Sequence, residues 1–410
     1  MVLLETIKEV AALQRGEVLK KKDLVSRQAL PHLSLKTASA IIISGIRRCG
    51  KSTLMHQIME QSSDECYFNF EDQRIMGFNV NDFERLRDVL EEKNPCRRFY
   101  FDEIQNVPGW ERFVRTMQDQ GKRFVITGSN ASLLSRELGT KLTGRHVRFE
   151  LFPFSFREFL DFEKATPSAA CFERYMTFGG FPEFLKGKDI QVLQELLQDI
   201  VARDIVVRHG LRESKTVKEM AVFLLTNVGK PFSYNGLAKQ FSLGSPNSAI
   251  AYISYLEDSY MLFVIPRFDV SLKRQRLSPK KVYSIDTGFS SANSASFSKD
   301  KGRMLENAVF LHLRRENPDI FYFRERGECD FLVKEKGEIT QAIQVCFQLS
   351  EENKDREING LEEVMKKVGL KSGTLVTFDQ EDYIGSIRII PAWKWMMEDS
   401  RSRTQAQAMV

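Results

Sequence analysis

The chain has 410 residues, long enough for two to four domains. Its 42% hydrophobic and 28% charged residues are those of a globular protein, and no apolar run approaches the roughly 18 residues of a membrane span. A net charge of +5 is too mild to argue by itself for nucleic acid.

The first residues, Met1-Val-Leu-Leu-Glu-Thr-Ile-Lys, carry Glu5 early and lack a long apolar core, so they do not read as a signal peptide. The cysteines at 49, 66, 96, 171, 329 and 346 form no C-x-x-C pair, which indicates neither zinc nor a redox motif. A free Cys49 fits a reducing compartment, and the chain reads as cytoplasmic. Residues 3–14 predict an amphipathic helix within an N-terminal segment, 1–35. The basic run Lys20–Arg27 reads as a solvated face, with a partner site as the alternative.

Residues 36–152 read as one α/β domain. Ala40–Ser44 is a short apolar, β-branched run, the pattern of a buried strand. Gly45-Ile46-Arg47-Arg48-Cys49-Gly50-Lys51-Ser52 follows and meets G-x-x-x-x-G-K-[ST] at every fixed position. Leu54, Met55 and Ile58 then recur at helical spacing. Strand, glycine loop and helix make a phosphate cradle. Loop N–H groups and the positive end of the helix converge on the anion. The expected nucleotide ligands are Gly45 through Thr53, with Lys51 on the β- and γ-phosphates and Ser52 on Mg2+.

Cys66–Phe70 predicts an aromatic strand, and a helix follows over about 81–92. Arg97-Arg-Phe-Tyr-Phe-Asp102-Glu103 predicts a buried strand with two carboxylates at its end, the Walker B pattern. Asp102 is expected to hold Mg2+ through water and Glu103 to polarise the attacking water. Arg123–Asn130 is a further strand, ending in polar residues. Asn130 and Thr127 are candidate γ-phosphate sensors; alternatively Ser129 or Asn130 caps a helix over 131–138. Arg145 follows a glycine and is placed at the ligand edge of the sheet, where it reads as an arginine finger in cis or in trans, or as a solvated arginine.

Residues 153–215 predict helices, at 156–162, 170–178 and 191–207, broken by the turn Phe178-Gly-Gly-Phe-Pro182; they read as a helical lid. Residues 216–290 read as a winged helix, with helices at 217–226, 234–241 and 247–260 and strands at 261–265 and 281–285 around a basic loop, 273–281. The third helix offers Asn247, Ser248, Ala251, Ser254, Glu257 and Asp258 outward and no cation, so a structural or docking role is weighed against DNA contact through the loop. Residues 300–395 place Glu306 on a helix and Asp330 on a strand, the layout of PD-(D/E)-x-K nucleases. Gln344-Val-Cys346 stands where that pattern wants Glu-x-Lys, and neither side chain replaces its counterpart. The tail 396–410 is polar.

Gly45-Ile-Arg-Arg-Cys-Gly-Lys-Ser, Phe101-Asp-Glu-Ile-Gln, Thr127-Gly-Ser-Asn, Thr143-Gly-Arg, Phe178-Gly-Gly-Phe-Pro, Lys281-Val-Tyr-Ser-Ile-Asp-Thr-Gly and Gly327-Glu-Cys-Asp-Phe together carry a resemblance over nearly the whole chain. The chain resembles the prokaryotic AAA+-type ATPases that join an ATPase core and a winged helix to a C-terminal nuclease-like domain of unknown function. The resemblance implies an α/β fold: a P-loop core whose parallel sheet has an added central strand, a helical lid, a winged helix and a restriction-endonuclease-like α/β domain. It implies ATP and Mg2+ binding and hydrolysis, with Lys51, Glu103, Asn130 and Arg145 as catalytic candidates. Candidate partners are ATP and ADP, DNA through 273–281, a protein, or a second copy of the chain, and no membrane.

Overall fold

The computed structural model describes residues 1–18, 25–33, 35, 37–61, 66–92, 94–129, 144–212, 214–296 and 300–398. The chain divides into two compact units, Met1–Phe152 and Pro153–Val410. No described helix is long and apolar enough to cross a membrane.

The first unit comprises α1 (Leu4–Val18), β1 (Ala40–Ser44), α2 (Lys51–Glu60), β2 (Cys66–Asn69), α3 (Phe83–Glu91), β3 (Arg98–Asp102), α4 (Trp110–Asp119), β4 (Arg123–Gly128) and β5 (His146–Glu150). The strands are parallel, in the order β2-β3-β4-β1-β5. β4 therefore stands between the glycine-loop strand and the carboxylate strand, the expected added central strand. β1, β3 and nearly all of β4 are buried, as parallel strands covered on both faces must be. One face is filled by rings: Phe83 stacks on Phe113 at 4.6 Å and Phe99 on Phe124 at 5.4 Å.

The N-terminal segment belongs to this unit. α1 buries Ile7 and Val10 against the aromatic face. The Gln14 amide accepts from Asn69 N–H at 2.8 Å and donates to Asn69 C=O at 3.1 Å, which caps the backbone of edge strand β2. Cys66 on β2 and Cys96, just before β3, form a disulfide with Cα atoms 6.2 Å apart. Their 30-residue separation hid this pair, which only strand adjacency brings together. Cys49, Cys171, Cys329 and Cys346 are free.

The second unit begins with α5 (Phe156–Glu163), α6 (Ala169–Phe178), α7 (Pro182–Gly187) and α8 (Ile190–Asp199). The helix expected to run on to Val207 changes at Ile200 to a π-helical segment, Ile200–Val207. Then come α9 (Lys215–Thr226), β6 (Pro231–Phe232), α10 (Tyr234–Gln240), α11 (Pro246–Asp258), β7 (Leu262–Pro266), α12 (Leu272–Leu277), β8 (Lys280–Ser284) and α13 (Thr287–Asn293). The antiparallel strands lie in the order β6-β8-β7.

Three expectations for this stretch change. The basic loop contains the short helix α12. Glu257 turns inward and accepts from Val264 N–H at 3.1 Å. Lys280 and Lys281 are buried in β8, so only Lys273, Arg274 and Arg276 of the basic set are exposed.

The last part holds α14 (Lys301–Glu316), β9 (Ile320–Arg324), β10 (Glu328–Glu335), β11 (Glu338–Val345), α15 (Lys354–Val368), β12 (Gly373–Thr377), β13 (Asp382–Ile384), β14 (Ile387–Pro391) and α16 (Ala392–Trp395). These strands form one mixed sheet, β13-β14-β12-β11-β10-β9. β11, β12 and β14 run parallel and the rest antiparallel. β13 is short and at the edge, and its Asp382 and Tyr383 are exposed, so no apolar pattern announced it.

Candidate functional site

β1 ends at Ser44 and α2 begins at Lys51, so the glycine loop spans the C-terminal edge of the sheet. At Gly45 (φ 156°) a Cβ would lie 2.1 Å from Leu151 O. At Gly50 (φ 101°), the residue that opens α2, a Cβ would lie 2.8 Å from Arg27 Nη1. Only glycine fits either place. Between them Ile46 and Cys49 are buried anchors, and the Cys49 thiol, pushed up by burial, donates to Leu151 O at 3.5 Å. Arg47 pairs with Glu71 at 3.1 Å, and Arg48 is exposed with φ 63°.

Lys51 is buried. Its ammonium donates to Gly45 O and Ile46 O at 3.1 Å each and lies 3.6 Å from the Glu103 carboxylate. Burial, the largest single influence, would lower its pKa, but the charges of Glu103, Cys49 and Asp102 together outweigh it and keep the ammonium protonated. Ser52, at the start of α2, bonds to Asp102 at the end of β3. Thr53 stands beside it, half-buried. Asp102 also accepts from Tyr67 Oη at 3.1 Å and from the Thr127 hydroxyl. Burial and the neighbouring Glu103 charge push its carboxyl up, against those hydrogen bonds.

Glu103 takes a left-handed conformation, φ 53°, rare for a non-glycine residue. Its N–H donates to Thr127 Oγ1 at 3.0 Å, and its carboxylate accepts from Gln105 and Ser129. Burial pushes this carboxyl up, but Lys51, Gln105 and Arg47 outweigh it and hold it below the usual range. The Asp-Glu step thus presents two different carboxylates. One is tied to the helix bearing Ser52, and the other stays ionised beside the lysine. Hard oxygen donors from Ser52 and Asp102 fit Mg2+.

Gly45–Thr53, Asp102 and Glu103 come together as expected. Asn130, the helix expected over 131–138 and most of Lys20–Arg27 lie outside the described residues. Arg145 requires a correction. It precedes β5, whose register pairs His146 with Ala40 and Glu150 with Ser44, so it sits at the opposite end of the sheet from the loop. Five residues of strand, about 17 Å, separate it from that edge. Its carbonyl accepts from Ala40 N–H at 2.9 Å and its guanidinium pairs with Asp119. It is not a finger in cis.

Arg27 was missed. It is buried, and its guanidinium donates to Cys49 O at 2.8 Å and Phe152 O at 2.6 Å, clamping the back of the loop. Its place in a basic run disguised it as solvated. Tyr67 was also missed, because it belongs to no phosphate motif, and Gln105, though it ends the motif Phe101-Asp-Glu-Ile-Gln, was given no role.

Residues 37–160 match the family described as AAA domain, and the fold and loop together define a P-loop domain of that class. Residues 170–300 and 301–395 each match a domain of unknown function. The chain is 34% identical to the uncharacterized protein MJ1544 of Methanocaldococcus jannaschii, over 95% of each chain, and belongs to the same family. An uncharacterized protein of Haemophilus influenzae is 27% identical over 87% of this chain and 94% of its own. Among solved structures, Aeropyrum pernix Orc1 in complex with DNA is similar at 14% identity and TM-score 0.26, covering 71% of this chain and 90% of that one. AMPPCP-bound DnaA from Aquifex aeolicus is similar at 14% identity and TM-score 0.28, covering 61% and 88%. Likeness this slight says nothing of what this chain binds.

Proposed function

We propose that the chain is a Mg2+-dependent ATPase that couples hydrolysis to rearrangement of its second unit, which we read as a helical lid, a winged helix and a nuclease-like domain. The observation that carries the reading is Glu103, an ionised carboxylate next to Asp102 and 3.6 Å from Lys51. A protein that only binds nucleotide has no need of a base there.

Bound Mg2+, held by Ser52 and through water by Asp102, would supply charge stabilisation at the phosphates. The loop N–H groups and Lys51 would bind the phosphates, with Lys51 exchanging loop carbonyls for phosphate oxygens. Glu103 would orient the attacking water and draw on its proton, while Gln105 and Ser129 aim the carboxylate. Thr127, whose hydroxyl donates to the Asp102 carboxylate and accepts from the Glu103 N–H, would keep the two residues in register. Contacts to the γ-phosphate exist only before hydrolysis and would bias the conformational equilibrium. The exposed Lys273, Arg274 and Arg276 of α12 are the surface we assign to DNA phosphates.

The test is phosphate release by the purified chain, with and without duplex DNA, beside Lys51→Ala. Turnover lost in Lys51→Ala supports the ATPase, and stimulation by DNA supports the α12 contact. Tight ATP binding with no turnover would replace the ATPase with a nucleotide-gated switch.

A further inference from the structure

The motif Lys281-Val-Tyr-Ser is not used by the nucleotide site. Lys281 lies on β8, with its side chain 3% exposed. Its ammonium reaches Asp330 Oδ1 at 2.8 Å, Glu328 Oε1 at 2.9 Å and Glu306 Oε1 at 3.2 Å. Asp330 and Glu328 come from β10 and Glu306 from α14. An ammonium has three N–H donors, and here three carboxylates receive them.

These carboxylates include the pair that the nuclease-like layout would use for a metal. The residues do not fit one. A Mg2+ ion needs oxygens at about 2.0–2.1 Å in near-octahedral array. The point on which Glu306, Glu328 and Asp330 converge is held by Nζ. Two of these carboxylates carry further bonds. Asp330 Oδ2 accepts from Val345 N–H at 3.0 Å, and Glu306 Oε1 also accepts from Tyr283 Oη at 2.6 Å. Gln344 turns its carbonyl onto Asp330 N–H at 3.0 Å and its amide onto Glu357 at 2.6 Å, away from the pocket. A Cβ on Gly229 would lie 2.8 Å from Glu306 Oε2, so the backbone of that turn closes this side. Among the described residues no group of three or more acidic, histidine or cysteine side chains is arranged to hold a metal ion.

We propose that Lys281 is the resident cation of this pocket: its ammonium takes the place of a divalent metal, disables metal-dependent chemistry there and latches β8 to the β10 sheet. Breaking one partner of such a buried cluster leaves uncompensated charge, so the latch is held from both sides. The inference is independent of the ATPase reading, since no residue of the nucleotide site takes part.

The test uses the full chain and Mn2+ alone, without nucleotide, read by calorimetry and by electron paramagnetic resonance. Wild type is expected to show no Mn2+ binding that Asp330→Ala removes. Lys281→Ala, or Lys281→Met to keep the side-chain bulk, is expected to gain a saturable Mn2+ site that a further Asp330→Ala abolishes. A wild-type Mn2+ site lost in Asp330→Ala, or a folded Lys281 variant without a new site, overturns the proposal. Amine acetylation mapped by mass spectrometry tests the wild type directly, whether or not the variants fold. Lys281 should be modified at least tenfold more slowly than exposed Lys273, and equal rates overturn the latch.

Discussion

Glu103 and Arg27 show how single side chains set up the proposed nucleotide site. Glu103→Gln keeps the shape of the side chain and removes the base. Phosphate release should fall about 100-fold or more while ATP affinity stays within a few-fold, as read by calorimetry. Loss of binding instead would remove the role assigned to Glu103. Arg27 acts from behind the loop. Arg27→Met would remove the hydrogen bonds to the Cys49 and Phe152 carbonyls. Losing two buried hydrogen bonds from a guanidinium should cost about 2–4 kcal/mol in denaturant titration and weaken ATP binding as the loop relaxes. An unchanged midpoint with unchanged affinity would show that the clamp is dispensable.

Between elements, the Phe178–Pro182 turn and the start of α13, capped by Asp286, lock together. Asp286 accepts from Gly180 N–H at 2.6 Å and from Phe289 N–H at 2.8 Å, and Phe154 N–H donates to Gly180 O at 2.7 Å. These two motifs, one read in the sequence as a turn and the other as the end of a strand motif, serve one joint. Burial raises the Asp286 pKa to about 6 against those hydrogen bonds, from an ordinary 3.8. The folded value is the higher one. Its contribution to stability is therefore full below the ordinary value and is lost as pH rises through about 6. Between those limits wild type should lose on the order of 1–3 kcal/mol relative to Asp286→Asn, measured by urea melts at several pH values. A constant difference would place the ionisation elsewhere. The packing is also tight at Gly288, where a Cβ would lie 2.1 Å from Phe178 O. Gly288→Ala should lower the melting temperature of the second unit.

For the molecule as a whole, the division at Phe152 and Pro153 gives two units with their own cores. Calorimetry should resolve two transitions. A non-hydrolysable ATP analogue at 100 times its Kd should stabilise the first by about 2.7 kcal/mol and leave the second in place. A single transition that moves as one would show that the units melt together.

The sequence by itself determined the phosphate-loop geometry. A phosphate loop is a local device: its glycines, lysine, serine and flanking strand and helix are contiguous, so their chemistry can be read without knowing the rest. The Asp102-Glu103 step was legible for the same reason, as two carboxylates ending an aromatic strand. The tertiary structure alone decided what depends on register and on contacts distant in sequence. Arg145 looked like a ligand-edge arginine until the pairing of β5 with β1 put it at the other end of the sheet. Arg27 and Lys281 looked like members of basic surface runs, because charge in sequence says nothing of burial. Each became intelligible only where its partners arrived from far along the chain: two carbonyls for the guanidinium, three carboxylates for the ammonium. A buried cation persists only where such partners offset its lost hydration, and folding brings them together.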